Sequence, residues 1–232
     1  MKKKINLLLV TFLAFVGSAS SHALWIETDA NGQLKIKQEI KIFYGEYAEQ
    51  HIEPIADWYS DVKNFDLWLV TPSGKKQKIE TSPLENHYLA YFTPTEEGLH
   101  QIFISHEAKD LGGKTLYQFN TTSIVKVGNT KNKLNHEHLN IDLKLIPHDK
   151  NIFTVYFKGT PEPNVAVELT GPSGWTKVFQ SDANGKISLE TPWEGSYMLE
   201  ATKSSKESGE HHGNAYESVW RCATIKIDSL FN

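Results

Sequence analysis

His22 is the residue whose type and position point most directly to chemistry. It follows Ala19-Ser20-Ser21, which fits the small-x-small pattern that precedes the cleavage site of an export signal. Cleavage there would make His22 the first residue of the exported chain, where its free amine and its imidazole can chelate one transition metal. Cleavage after Ser21-His22-Ala23 fits the same pattern and would remove His22. We favour the first register and predict that His22 is a metal ligand.

A second group of metal-ligating residue types lies near the other end of the sequence. His211 and His212 are adjacent in a polar stretch between two predicted strands, with Glu207 and Glu210 beside them. Imidazole suits nickel, copper and zinc, and carboxylate oxygens can complete their coordination. The hypothesis is that His211, His212 and Glu210 bind an ion together with His22. The alternative is a solvated loop that contains two histidines.

Cys222 is the single cysteine of the chain, so no intramolecular disulfide can form. In the predicted strand Trp220–Ile227, alternation places Cys222 on the face of Thr224 and Lys226, away from the apolar residues. A thiol on a polar face close to His211 and His212 would allow a mixed nitrogen and sulfur site. The alternative is a small buried residue without a chemical role.

Other histidines are weaker candidates. His136 and His138 flank Glu137, and in an extended strand both rings would lie on one side and could chelate. A solvated linker is the alternative. His106-Glu107 ends a predicted strand and could approach either metal site. We assign no role to His51, His87, His100 and His148.

The elements that position these residues are predicted to be β-strands throughout. Runs rich in valine, isoleucine and aromatic residues are separated by glycine, proline, asparagine and aspartate turns, a pattern typical of β-sandwiches. The predicted strands are Lys35–Tyr44, Phe65–Thr71, Lys76–Glu80, Tyr88–Phe92, Gly98–Ser105, Ser123–Val127, Phe153–Phe157, Val165–Thr170, Trp175–Gln180, Ile187–Glu190, Ser196–Thr202 and Trp220–Ile227.

A polar, turn-rich stretch near the middle of the chain predicts a domain boundary. We therefore expect an all-β protein with two Ig-like or transthyretin-like sandwich domains, at 22–130 and 138–232, joined by a linker at 131–137. The fragment Asp182-Ala183-Asn184-Gly185 resembles part of a calcium loop, but it lacks the remaining acidic ligands. We interpret it as a hairpin turn with positive φ.

The beginning of the sequence predicts export. Lys2-Lys3-Lys4 precede an apolar run, Ile5 to Val16, and then small residues, so residues 1–21 read as a signal peptide. We expect a periplasmic or secreted protein without a membrane span after cleavage. Loss of the three lysines changes the formal net charge from −4 to −7. Such an acidic chain is a poor binder of nucleic acid or anionic membranes.

Two sets of motifs carry a family resemblance. The second half, with Pro161-x-Pro163-Asn164-Val165, Ser181–Lys186 and Trp193–Ala201, resembles the transthyretin-like or carboxypeptidase-regulatory-like Ig-type fold. The two ends, His22–Glu27 and Gly209–Ile225, resemble the periplasmic NikM-like family, domain of unknown function 4198. The strand Ile42–Tyr47 fits that family's first strand.

The resemblance to the NikM-like family implies a role in nickel or cobalt uptake. A bound divalent transition metal and a membrane metal transporter as partner are expected on that basis, and copper or zinc would also suit the donors. The family resemblance supplies no ligand list, so His22, His211, His212, Glu210 and Cys222 rest on their chemistry alone.

Other function classes receive less support from the sequence. It contains no Gly-x-Ser-x-Gly, no glycine-rich phosphate loop and no His-Glu-x-x-His, so we predict that the protein is not an enzyme. A structural or interaction module of the cell envelope is the main alternative. A carbohydrate-binding module is another, and it would require an exposed, coplanar row of tryptophan and tyrosine rings.

Overall fold

The computed structural model describes residues 22–129, 134, 136–149 and 151–227. The predicted signal at 1–21 and most of the predicted linker lie outside these residues. The described chain is all-β, as the sequence predicts, with short 3-10 turns at Tyr47–Glu49, Ile55–Asp57, Val62–Asn64 and His136–His138. In this part of the chain no helix has the length and apolar character needed to cross a bilayer.

The strands largely follow the predicted runs, with several short strands added between them. In chain order they are β1 (Ala23–Glu27), β2 (Asn31–Gly32), β3 (Gln38–Glu46), β4 (His51–Ile52), β5 (Leu67–Val70), β6 (Lys76–Ile79), β7 (Thr81–Pro83), β8 (Tyr88–Phe92), β9 (Gly98–Glu107), β10 (Thr115–Val127), β11 (Leu143–Asp149), β12 (Ile152–Phe157), β13 (Thr160–Pro161), β14 (Ala166–Thr170), β15 (Thr176–Gln180), β16 (Lys186–Ser188), β17 (Tyr197–Ser205), β18 (Gly209–His211), β19 (Asn214–Tyr216) and β20 (Ser218–Ile227). The segment that resembles the family's first strand, Ile42–Tyr47, lies mostly in β3, and β1 precedes it.

One large sheet contains strands from both halves of the chain. Its order is β15-β14-β17-β20-β10-β9-β5-β6. The halves meet where β10 and β20 pair in parallel, from Thr115 opposite Ser218 to Thr122 opposite Ile225. The sheet is therefore continuous across the predicted boundary at 131–137, and the division into two domains stays a prediction.

Two hydrophobic cores lie on opposite faces of this sheet. Val125 and Val127 of β10 belong to the first core, whereas Ile124 belongs to the second. The sheet β1-β3-β8-β7 covers the first core, and the sheet of β11, β12, β13 and β16 covers the second. Burial of each large apolar side chain contributes about 1.5–3 kcal/mol, so each core stabilises the face of the large sheet on which it lies.

The middle of β10 contains buried polar residues, and for this reason the sequence pattern does not predict a strand there. Asn120 is 1% exposed, donates from its side-chain amide to the carbonyl of Cys222 and accepts from the hydroxyl of Ser105. Gln118, also buried, accepts from the Asn120 amide. These hydrogen bonds offset the cost of burying amides, so β10 runs from Thr115 although only Ser123–Val127 reads as a strand.

Arg221 links the large sheet to Asp142, which directly precedes β11 of the sheet that covers the second core. It is 3% exposed and its guanidinium donates to Asp142 at 3.0 Å, to Ser205 at 2.9 Å and to both carboxylate oxygens of Glu207 at 3.0 Å. Burial raises the pKa of Glu207, but hydrogen bonds from Arg221, Lys158 and Ser205 outweigh it and lower that pKa to about 2. Both carboxylate oxygens of Glu207 thus accept hydrogen bonds from the protein.

The turn at Asp182–Gly185 differs in one respect from the predicted hairpin. Gly185 has φ +72°, and its N–H donates to the carbonyl of Asp182, as a tight turn requires. The flanking strands, however, do not pair with each other. β15 pairs with β14 and β16 pairs with β12, so this turn carries the chain from one sheet to another.

Candidate functional site

His22 lies among three strands whose pairing brings other metal-ligating side chains next to it. Ala23, the first residue of β1, pairs with Gly45, and Gly45 pairs in turn with Ile52. Glu46 and His51 form the next pair along β3 and β4. His22 therefore stands beside the turn that joins β3 to β4, although residues 22 and 51 are far apart in sequence.

The side chains at this turn form one connected cluster. The Nε2 of His22 lies 2.8 Å from Glu53 Oε1, and its Nδ1 lies 3.4 Å from Glu46 Oε1. The same Glu53 oxygen lies 3.2 Å from His51 Nε2. Two imidazoles thus share one carboxylate. We call these four residues, His22, Glu46, His51 and Glu53, the N-terminal cluster.

The local backbone explains how the cluster forms. After β3 the chain turns through Tyr47–Glu49, and Gln50 closes the turn in the left-handed conformation at φ +55°. Gly45 has φ +149° and lies so close to β4 that a methyl group there would overlap the carbonyl of His51. A glycine at this position therefore lets β4 return tightly along β3, which sets His51 beside Glu53.

Electrostatics keep the shared carboxylate ionised. The hydrogen bond from His22 lowers the pKa of Glu53, burial opposes it, and the charges of His22 and His51 lower it further. The His22 side chain is 38% exposed, so ions in solution can reach it. Across the residues described, no three His, Cys, Asp or Glu side chains are already arranged around a common point as a metal would require.

An aromatic pocket of about 520 Å³ opens beside His22. Its other lining residues are Asp57 and the five rings of Tyr44, Tyr59, Tyr117, Phe119 and Trp220. Steep angles separate neighbouring rings, 79° between Tyr59 and Tyr117 and 83° between Tyr117 and Trp220. The rings line an open space instead of forming the coplanar row that a carbohydrate-binding surface would need. We call this space the aromatic pocket.

Cys222 is buried, which corrects the expectation drawn from its polar strand face. Alternation is as predicted, since Ala223 and Ile225 join the second core while Cys222 points to the other face. That face is covered by β1, whose Leu24 carbonyl accepts a hydrogen bond from Thr224. The cysteine is 1% exposed, and burial raises the pKa of its thiol well above the usual range, as does the neighbouring Glu200.

Native Cys222 is expected to resist thiol reagents. Alkylation requires a thiolate, and this thiol is both protonated and shielded, so at pH 8 we expect labelling at least about 100-fold slower than in the unfolded chain. Mass spectrometry after timed exposure to iodoacetamide, with and without guanidinium, measures the ratio. Equal labelling of the two samples would show that the thiol is accessible.

His211 and His212 lie in a β-hairpin, not in a flexible loop. β18 and β19 pair antiparallel, with His212 at φ +47° and Gly213 at φ +80° in the turn, and Glu210 is exposed opposite Ala215. His211 Nδ1 lies 4.0 Å from Glu107, and its buried Nε2 has no hydrogen-bond partner among the described residues.

The two predicted halves of the metal site lie at different places. Glu107, the neighbour of His211, accepts a hydrogen bond from Gln118, which pairs with Arg221 on the second-core face of the large sheet. His22 lies beside Phe119, which belongs to the first core on the opposite face. The structure therefore does not bring His22 and His211 into contact, and each has its own acidic neighbours.

The remaining histidine candidates have structural neighbours of their own. His106 Nε2 lies 3.1 Å from Asp61, so it does not join either group. His136 and His138 lie in a 3-10 turn, and His136 packs on Tyr156 at 4.2 Å. The extended geometry in which both rings would share one side is therefore absent from this segment, which the structure describes.

Sequence reasoning missed three of the four residues in the N-terminal cluster. It gave His51 no role and did not single out Glu46 or Glu53. One signal was present, because three glutamates and a histidine fall within eight positions around a turn. Their approach to His22 depends on the pairing of β1 with β3, which the sequence does not specify.

Comparisons with known proteins add only distant similarity. Neither a protein-family model nor a curated protein matches this chain. Among solved structures it is similar to Salmonella alpha-2-macroglobulin reacted with methylamine and to trypsin-activated alpha-2-macroglobulin from Escherichia coli. Both are 12% identical with a TM-score of 0.29; the match covers 90% of this chain but 15% and 16% of those chains.

Proposed function

We propose that this protein is an exported carrier that binds a divalent transition metal at the N-terminal cluster and presents it to a membrane transporter. The observation that supports this most directly is the sharing of one Glu53 oxygen by His22 and His51, at 2.8 and 3.2 Å. Nickel or cobalt is the favoured cargo from the family resemblance, and the donors also suit copper or zinc.

The donor chemistry of the cluster fits a borderline metal. His22 and His51 supply imidazole nitrogens, and Glu46 and Glu53 supply carboxylate oxygens, which together neutralise a divalent charge. Cleavage before His22 would add the terminal amine as a further ligand. Because the His22 side chain is partly exposed, the ion can enter and leave by ligand exchange, as a carrier requires.

The hairpin at His211 and His212 is a second, separate place where a metal could bind. Glu107 and the exposed Glu210 provide nearby oxygens. Cys222 is not part of either set, since its thiol is buried on the first-core face. If both places bind a metal, the stoichiometry is two ions per chain. Substitutions at one place would then change the affinity for one ion and leave the other unchanged.

Metal affinity is expected to depend on the N-terminal cluster. Isothermal titration of the exported protein with nickel, cobalt, copper and zinc should reveal one site whose affinity falls at least about 100-fold in His22→Ala or His51→Ala. Loss of a residue that only orients a ligand lowers metal affinity by about 10- to 100-fold, so loss of a ligand should cost at least as much. The matched control is His138→Gln, an exposed histidine outside the cluster. Binding no tighter than about 10 μM, roughly −7 kcal/mol, with every metal would rule out the carrier role.

The same affinity is expected to fall in acid. A metal requires neutral imidazoles, so protons compete with the metal for the ring nitrogens of the N-terminal cluster. Titrations from pH 8 to pH 5 should show a steady loss of affinity, and an unchanged affinity would exclude imidazole ligands. Intact-mass measurement of the exported chain shows whether it begins at His22 or at Leu24.

A further inference from the structure

The aromatic pocket has the size of a small-molecule site. Its volume of about 520 Å³ falls within the range of roughly 300–1,000 Å³ typical of ligand pockets. Trp220 meets Tyr117 at 83° and Phe119 at 68°, with centroids 5.6 and 5.9 Å apart. At these angles the edge of one ring meets the face of its neighbour, and the partly buried rings of Tyr59, Tyr117 and Trp220 offer their remaining surface to the pocket.

The polar atoms around the pocket are mostly engaged by the protein itself. The Tyr59 hydroxyl donates to the carbonyl of Asp110 at 2.8 Å. The ring nitrogens of His22 face Glu53 and Glu46. Burial raises the pKa of Tyr44, so its hydroxyl stays neutral. The exposed Asp57 is the acidic residue among those that line the pocket, and no lysine or arginine is among them.

We propose that the aromatic pocket binds a small organic cation with a methylated ammonium head. Ring faces carry negative potential and attract such a cation, while Asp57 complements its charge. A primary ammonium would lose three hydrogen bonds to water and find few free acceptors in the pocket. A fully methylated ammonium has no such donors to satisfy. An anion would be repelled by Asp57.

This inference goes beyond the proposed metal carrier and does not depend on it. His22 lies at the edge of both places, but its ring nitrogens face the carboxylates of the N-terminal cluster while the pocket is formed by the five rings. The two activities can therefore be measured separately, with a chelator present for the organic cation.

Choline and its neutral isostere 3,3-dimethylbutan-1-ol test the proposal. Isothermal titration of the full exported chain in EDTA should give binding of choline at least about tenfold tighter than of the alcohol, since only the cation gains the attraction of the rings. Asp57→Asn, an exposed change that leaves the core intact, should weaken choline severalfold and leave the alcohol unchanged. Trp220→Leu should weaken choline about tenfold.

Two control variants locate the choline binding in the aromatic pocket. Trp193→Leu removes an exposed tryptophan outside the pocket and should leave choline binding unchanged. His51→Ala, which disrupts the N-terminal cluster, should also leave it unchanged. Equal affinity for the alcohol, no binding up to about 10 mM choline, or loss of binding in His51→Ala would overturn the proposal.

Discussion

Arg221→Leu is expected to lower the free energy of unfolding by about 3–5 kcal/mol, because it removes one partner from a buried ion cluster. The leucine retains much of the apolar contact, but Asp142 would lose its guanidinium partner and Glu207 would keep Lys158 as its remaining cation. Both ends of the guanidinium are engaged, with Glu207 bound bidentately at 3.0 Å. Urea unfolding followed by tryptophan fluorescence measures the loss.

The control for Arg221 is an exposed ion pair of similar length. Lys177 and Glu190 lie 2.6 Å apart at the surface, and Lys177→Met should cost less than about 1 kcal/mol because such pairs are well solvated. Equal costs for the two substitutions would show that the burial of Arg221 adds nothing to stability.

Arg221→Leu should also change how stability responds to acid. The pKa of Glu207 is lowered from 4.5 to about 2 in the folded protein, so its ionised form favours folding. This contribution is fully present above pH 4.5 and is lost as the pH falls toward 2. In the variant the pKa returns upward, and the decline in stability across that interval should become shallower.

Gly45→Ala is the second substitution with a large expected effect. It should reduce stability by about 3 kcal/mol or more, since φ +149° disfavours a side chain and the new methyl group would overlap the His51 carbonyl. β4 must then move away from β3, which displaces His51. Metal affinity should therefore fall in the fraction that remains folded.

Gly159→Ala separates backbone strain from overlap. Gly159 has φ +85°, and a methyl group there would meet no atom within 4 Å. Only strain is expected, about 1–2 kcal/mol, with unchanged metal affinity. If Gly45→Ala costs no more than this and keeps its metal affinity, the close approach of β4 is not what positions His51.

Much of the fold can be predicted because its strands obey local rules. Tyr88–Phe92 begins and ends where its aromatic and aliphatic run predicts, and the alternation in β20 sends Ala223 and Ile225 to the second core. β10 is predicted too short because Gln118 and Asn120 are amides. Their burial depends on partners contributed by other strands, Ser105 and Cys222 among them, which no local pattern reveals.

In the candidate site, too, some residues can be recognised from local sequence and others only from their distant partners. His22 stands out because its sequence position alone has chemical meaning. His51 and Glu53 gain theirs only from the register of β1, β3 and β4, which joins distant segments. Cys222 shows the converse, since its strand face was predicted correctly but its burial was not. Burial depends on what covers a face, and for Cys222 that cover is β1.

The parallel pairing of β10 with β20 has a consequence for the order of events during folding. Thr115 and Ser218 lie 103 positions apart, so the two central strands of the large sheet can pair only after the long segment between them has become compact. Contacts of this separation slow folding, and until they form the edge of β10 is open to other chains. The aromatic pocket takes Tyr117 and Phe119 from β10 and Trp220 from β20, so it is complete only once these two strands have paired. The ion cluster around Arg221 draws its partners, Asp142, Ser205 and Glu207, from the second half of the chain alone and does not require that pairing.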